Sequence, residues 1–204
     1  MHKLTIPISE EEIRKLKVGD TVSLSGVLLT ARDAAHKYMV ENFIKGEPPE
    51  AEKPMLEILE KYLRNGVIYH CGPVVRQDEN GKWHFVAAGP TTSIREEPYE
   101  HLVIRRFGVR AVIGKGGMAD KTLAACREYG AVYLHAVGGA ASLIARQVEE
   151  VEAVHKTEFG LPEAFWQIRV VDFQAVVTMD SHGGSLHKEI EARSQERLQK
   201  LISG

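Results

Sequence analysis

Residues 87–118 read AAGPTTSIREEPYEHLVIRRFGVRAVIGKGGM, and the way this stretch changes character decides the fold. It leaves a β-rich region at a Gly89-Pro90 corner, passes a helical spacer from about Ile94 to Phe107, and enters an apolar strand, VRAVI. A glycine-rich turn from Gly114 to Gly117 follows, and then a helix, ADKTLAACREY, that ends at Gly130. Strand, glycine-bearing turn and helix recur downstream. VYLHAV, Gly138-Gly139 and AASLIARQVEE form the second unit, and IRVVDFQAVVTM, DSHGGS and LHKEIEARSQERLQKLI the third. Such units predict a βαβ-type layer with a largely parallel sheet.

Upstream, KLTIPI (residues 3–8) reads as an edge strand, because Pro7 cannot donate into a central ladder. Ser9 with Glu12 is a capping pattern for a short helix, and the strand TVSLSGVLL follows. Thr30-Ala31-Arg32-Asp33 reads as a second capping box, opening the helix ARDAAHKYMVENFI. After a Pro-rich loop come a helix from Pro54 to Arg64 and two strand-like runs, VIYHCGPVV and KWHFVAAGP, with Asn80-Gly81 as a hairpin signal. The expectation is an α/β fold, a β-rich first half followed by strand–Gly turn–helix units, in a single domain over residues 1–204. In the final helix Leu186, Ile190, Leu198, Leu201 and Ile202 form a stripe expected to pack on the core.

Composition sets outer limits. Of 204 residues, 44% are hydrophobic and 26% charged, proportions that supply a sizeable core. A net charge of −2 with the two signs interspersed argues against a nucleic-acid footprint, which needs a basic stripe. No apolar run approaches the ~18 residues of a membrane span, and MHKLTIPISEEE lacks the apolar run of a signal peptide; a cytoplasmic protein is expected. Cys71 and Cys126 sit in unrelated contexts, so neither a zinc site nor an iron–sulfur cluster is expected on them.

Two segments of the opening stretch are dense in groups that bind anions. Thr91, Thr92, Ser93 and Arg95 follow the Gly-Pro corner, and Lys115 stands among Gly114, Gly116 and Gly117. Hydroxyls, a guanidinium, an ammonium and free backbone N–H groups suit a small carboxylate or phosphate ligand. Arg95 in a first helical turn opposes the helix dipole, which points to an anion beside it. Arg32 starts a helix after a strand, where α/β sheets meet ligands, and shares a helix face with His36. Each segment also has a plain structural reading, since hydroxyl residues cap helices and a lysine in a tight turn is ordinarily solvated. Gly114 to Ala119 matches GxGxxA. Yet Lys115 protrudes between the first two glycines, and VYLHAV ends without the acidic residue that holds a ribose, so a dinucleotide site is not expected. The sequence has no P-loop pattern, no HExxH and no clustered metal-ligand spacing. His36, His135 and His182 are read as polar core or loop residues, with His182 in DSHGGS the least plain of them.

The segments SGVLLTARDAAHK, AAGPTTSIRE, VIGKGGM, VGGAA and TMDSHGGSLH, in that order and spacing, resemble the β subunit of two-subunit class I fumarate hydratases. They are also similar to the β subunit of L(+)-tartrate dehydratase and the C-terminal domain of single-chain class I fumarases. The similarity covers nearly the whole chain. It implies a swivelling β/β/α domain and a hydro-lyase interconverting (S)-malate with fumarate and water. It also implies an oxygen-sensitive 4Fe–4S cluster bound by cysteines of an α subunit, with no cofactor or metal ligand on this chain. By that resemblance Arg32, Arg95 and Lys115 would hold the substrate carboxylates. Thr91 and Lys115 would be catalytic, Thr91 as the base for the proton next to a carboxylate, with Thr92 and Ser93 flanking it in the substrate site. The implied partners are the α subunit and a small dicarboxylate, in a hetero-oligomer, with a homodimer of this chain also open. Glu96 departs from the methionine more usual after TTSxR. Because motifs of the two enzymes overlap, L(+)-tartrate is the alternative substrate. A non-catalytic anion-binding swivelling domain is a third reading, against which the joint presence of Arg32, Thr91, Arg95 and Lys115 argues.

Overall fold

The computed structural model describes residues 1–202. Its elements, in chain order, are β1 (His2–Thr5), α1 (Glu10–Ile13), β2 (Thr21–Thr30), α2 (Asp33–Phe43), α3 (Lys53–Leu63), β3 (Val67–Tyr69), β4 (Val74–Gln77) and β5 (Trp83–Ala87). Then follow α4 (Glu100–Phe107), β6 (Ala111–Gly114), α5 (Asp120–Tyr129), β7 (Val132–His135), α6 (Ala141–Ala145), β8 (Val148–His155), β9 (Phe165–Met179) and α7 (Leu186–Ile202). The capping box of Ser9 and Glu12 is formed at α1, and the Asn80-Gly81 signal joins the β4–β5 hairpin.

The main sheet has the order β1-β2-β3-β6-β7-β9-β8, and β9 pairs a second time, with β2. Strands β2, β3, β6, β7 and β9 therefore close into a ring. Pairings among β2, β3, β6 and β7 are parallel, whereas β9 runs antiparallel to β2, β7 and β8. The sheet is thus mixed rather than largely parallel, because the long β9 turns back along both ends of the parallel run.

Side-chain alternation along the strands sorts residues into two cores. Val67, Tyr69, Ala111, Ile113, Val132 and Leu134 point inward, with Trp166, Ile168 and Phe173 of β9. Ile68, Val112 and Tyr133, between them in sequence, point outward under α2, α3, α4 and α5. The β4–β5 hairpin covers one part of the inner core, where Trp83 and Phe85 meet the Trp166 ring edge-on at 5.3 and 5.7 Å.

Several expectations are corrected. AASLIARQVEE is helical only over Ala141–Ala145, and its tail belongs to β8. Two register shifts in β8, at Val148/Glu150 and Val151/Ala153, let Val148, Val151 and Val154 all pack on the core. A spacing of three that imitates a helix is here the signature of β-bulges. The spacer from Ile94 to Phe107 is a single 3-10 turn, Ser93–Glu96, and then α4, with Pro98 between them. VIYHCGPVV splits into β3 and β4. The final helix forms but buries no residue; Ile190, Leu198, Leu201 and Ile202 are exposed, and Ser194 interrupts their stripe.

Candidate active site

The parallel strands β2, β3, β6 and β7 end on one side, where the chain runs on to Arg32, His70, Lys115 and Ala136. Ligands of α/β sheets meet the chain at such carboxyl ends. Past the end of β3, residues 91–93 take over the edge of β6. Thr91 N–H donates to the His70 carbonyl at 2.6 Å, Lys115 N–H to that of Thr91 at 3.2 Å, and Ser93 N–H to that of Lys115 at 3.0 Å. The two anion-binding segments of the sequence are thereby laid side by side, with Thr92 bridged to Lys115. Thr91 and Lys115 are half-buried and Thr92 is exposed. Among the described residues, no hydrogen-bond or ion-pair partner meets the Lys115 ammonium.

The two arginines are already engaged. Arg32 Nη1 lies 3.3 Å from Glu163 Oε1, and its guanidinium occupies the space over Gly72, where a Cβ would fall 2.4 Å from Nη1. Its Nε is buried without a partner. Arg95 is exposed, and its Nε donates to Asp33 Oδ1 at 3.0 Å. Asp33 thus supplies within the chain the anion that the position of Arg95 called for.

Helix capping differs from the sequence reading at both helices that border the site. Thr30 does not cap α2. Its buried hydroxyl accepts from Trp166 N–H at 3.1 Å in the sheet, and Glu163 Oε2 instead accepts from Ala34 N–H at 3.1 Å. At α5, after the Gly114–Gly117 turn, Glu97 accepts from the N–H groups of Ala119, Lys121 and Thr122 at 2.9, 2.9 and 3.2 Å, and from the Thr122 hydroxyl at 2.7 Å. The helix N-terminus expected to offer free N–H groups to a ligand is filled by the chain's own carboxylate. Lys115, not the α5 N-terminus, is what this turn presents.

Beneath the site lies a polar cluster that no sequence spacing announced, because its members are dozens of residues apart. Glu100 Oε2 accepts from His36 Nε2 at 2.8 Å and from His70 Nε2 at 2.9 Å. All three residues are fully buried. His70 Nδ1 meets Ser93 Oγ at 2.8 Å, and the Tyr133 hydroxyl donates to the same Oγ at 2.8 Å. His36 Nδ1 faces the Arg32 carbonyl at 2.9 Å. A carbonyl only accepts, so His36 donates from both nitrogens and carries a positive charge. Burial opposes that charge, but the Glu100 carboxylate and the hydrogen bonds to it and to Arg32 hold the His36 pKa above its usual value. For Glu100, burial is outweighed by His36 and His70, and its pKa falls to about 2. His70, with burial dominant, is held below the usual histidine range and is neutral, so its Nδ1 accepts from Ser93.

Ser93, expected beside the substrate, therefore faces inward: it is buried and both of its partners are internal. His135 and His187 border the glycine-rich turn with rings 6.1 Å apart; His135 Nδ1 and His187 Nε2 have no partner. Burial, then His187, lowers the His135 pKa. His182 is exposed, and the turn around it is organised by Asp180, which accepts from the N–H groups of Val18, His182 and Gly184.

The ligand atoms of His36, His70 and Glu100 lie within 4.8 Å of one another, a grouping of the kind that holds metals, but the ring nitrogens are used in the hydrogen bonds just described. An iron–sulfur cluster does not fit this chain. Cys71 lies in the inner core and Cys126 under the helices, too few thiols in separate places. Burial pushes the Cys71 pKa up to about 12 and raises that of Cys126. Among the described residues, no helix is long and apolar enough to cross a membrane.

Residues 2–190 match the family described as Fumarase C-terminus. A protein of Geobacillus stearothermophilus provisionally named as a class I fumarate hydratase is 53% identical over 97% of this chain and 36% of its own length. The L(+)-tartrate dehydratase subunit beta of Escherichia coli K12 is 38% identical over 98% of this chain and 92% of its own. A protein of Methanocaldococcus jannaschii, provisionally given that same subunit name, is 39% identical over 96% and 95%. The chain thus spans about a third of the first relative and nearly all of the other two.

Proposed function

This chain belongs to the Fumarase C-terminus family, and from that premise we propose that it forms the dicarboxylate-binding wall of a class I hydro-lyase. Its fold is read as the swivelling β/β/α domain of that family. The reaction is the interconversion of (S)-malate with fumarate and water, and the other wall belongs to an α-type subunit. The observation that carries this reading is the main-chain pairing of the Thr91–Ser93 segment with Lys115 at the end of β6, which lays the two anion-binding segments side by side. The 53% identity to a relative named for fumarate hydration supports malate and fumarate as substrates. Subunit-length relatives named for tartrate support L(+)-tartrate as the alternative.

Lys115, Arg32 and Arg95 bind the substrate carboxylates, Arg32 while paired also with Glu163 and Arg95 while paired also with Asp33. Thr91 takes the proton from the carbon next to a carboxylate while the hydroxyl leaves the neighbouring carbon. Charge then builds on that carboxylate, and the adjacent cations stabilise it more in the transition state than in the ground state. A threonine hydroxyl is a weak base, and the positive charge beside it favours its ionised form. Cluster chemistry falls to the α-type partner.

Co-expression with a cluster-bearing α-type chain, followed by anaerobic assay with (S)-malate and L-tartrate, tests the reading. Turnover of (S)-malate exceeding that of L-tartrate is expected. The reverse order moves the assignment to tartrate, and turnover of neither removes it.

A further inference from the structure

The buried cluster under the site touches the main chain of every segment that carries a candidate site residue. His36 donates to the Arg32 carbonyl. His70 holds the threonine segment twice: its carbonyl accepts from Thr91 N–H, and its ring accepts from the Ser93 hydroxyl. Ser93 in turn donates its N–H to the Lys115 carbonyl. Glu100 ties the two imidazoles together through one oxygen.

The glycine at the end of β6 belongs to the same arrangement. A Cβ on Gly114 would lie 1.8 Å from Ser93 Oγ, 2.9 Å from the Tyr133 hydroxyl and 3.2 Å from His70 Nδ1. The first glycine of the GKGG turn is therefore explained by the side chains of the cluster rather than by a phosphate. Direction is also fixed along the chain: Tyr133 to Ser93, Ser93 to His70, His70 and His36 to Glu100, and His36 to Arg32. Each link has one donor and one acceptor, so the relay has a single orientation of its hydroxyls and rings.

We propose that Ser93, His70, Glu100 and His36 are positioning residues that set Thr91 and Lys115 against Arg32 from beneath. None of the four touches substrate. They act by holding the Thr91–Ser93 segment on the edge of β6 in one register, which fixes the main-chain positions from which Thr91 and Lys115 are presented. The functional half of this inference rests on the hydro-lyase reading; the structural half does not.

Two measurements separate these halves. Amide hydrogen exchange on the isolated chain reads the register directly, through the N–H groups of Thr91 and Lys115. Ser93→Ala is expected to speed exchange at both by about tenfold or more while the β2–β9 ladder keeps its protection. In the assembled enzyme the same substitution is expected to lower kcat by about tenfold or more with KM changed less than about threefold, since small misplacement of reacting groups is costly. Should that variant fail to fold, Tyr133→Phe, which removes only the donor to Ser93, is expected to give smaller changes of about two- to fivefold in both readouts. Unchanged exchange at Thr91 and Lys115 overturns the proposal, as does faster exchange with an unchanged kcat. If the unsubstituted complex turns over no dicarboxylate, the hydro-lyase reading falls while the exchange result still decides the positioning.

Discussion

Glu96 is buried with neither carboxyl oxygen bonded. Burial first of all, aided by Asp33 and Glu100 and opposed by His36 and Arg95, pushes its pKa to about 7. The sign follows from linkage. Between about pH 4.5 and 7 the unfolded chain ionises at this position while the folded chain keeps its proton, so stability falls as pH rises through that window and then levels. Glu96→Gln is expected to remove this slope and add about 2 kcal/mol at pH 7.5. Urea unfolding at pH 5 and pH 7.5 measures it, and an unchanged slope means that Glu96 is ionised in the fold. Lys115 is the opposite case, half-exposed and without a partner. Lys115→Ala is expected to leave the melting temperature within about 2 °C and to lower turnover of the complex by about a hundredfold or more. Retained turnover removes Lys115 from the site. In the sequence Lys115 was visible because glycines isolate it. Glu100 and His70 were not, because only the closure of the sheet brings them to His36.

Among the elements, α5 and α2 share a device. Each follows a parallel strand into the site, and each receives at its start a carboxylate from elsewhere in the chain, Glu97 for α5 and Glu163 for α2. The local capping pattern at Thr30 misled because its hydroxyl finds its partners in the backbone of Ala164 and Trp166. Glu97→Gln keeps the shape but loses the charge at the α5 N-terminus and is expected to cost about 1–2 kcal/mol. Denaturant unfolding, with exchange at the Lys121 and Thr122 amides, checks it; an unchanged midpoint with unchanged protection assigns the cap to another group. The β8 bulges teach a related lesson. A strand whose register shifts twice carries its valines at a spacing of three, so no period-two alternation marks β8 in the sequence. By contrast α3, α5 and the hairpin were legible, because Pro54, Gly130 and Asn80-Gly81 mark their limits locally.

At the scale of the molecule, closure of the sheet by β9 is what makes a site from separated segments. It brings the ends of β2, β3, β6 and β7 to one side, and the Thr91–Ser93 segment completes the edge there. The strand–glycine turn–helix units showed in the sequence, whereas the antiparallel return of β9 did not, since pairing partners far apart leave no local mark. What this side offers is cations, hydroxyls and imidazoles, while the thiols lie in separate cores. That asymmetry is the physical ground for the proposal that cluster ligands come from outside the residues described. The most direct test of the proposed shared site is a titration of this chain into a cluster-bearing α-type chain under anaerobic conditions, following fumarate formation from (S)-malate. Turnover absent from either chain alone, rising with added chain and levelling at a fixed ratio, is the predicted result. Turnover by either chain alone at the rate of the mixture would contradict a shared site.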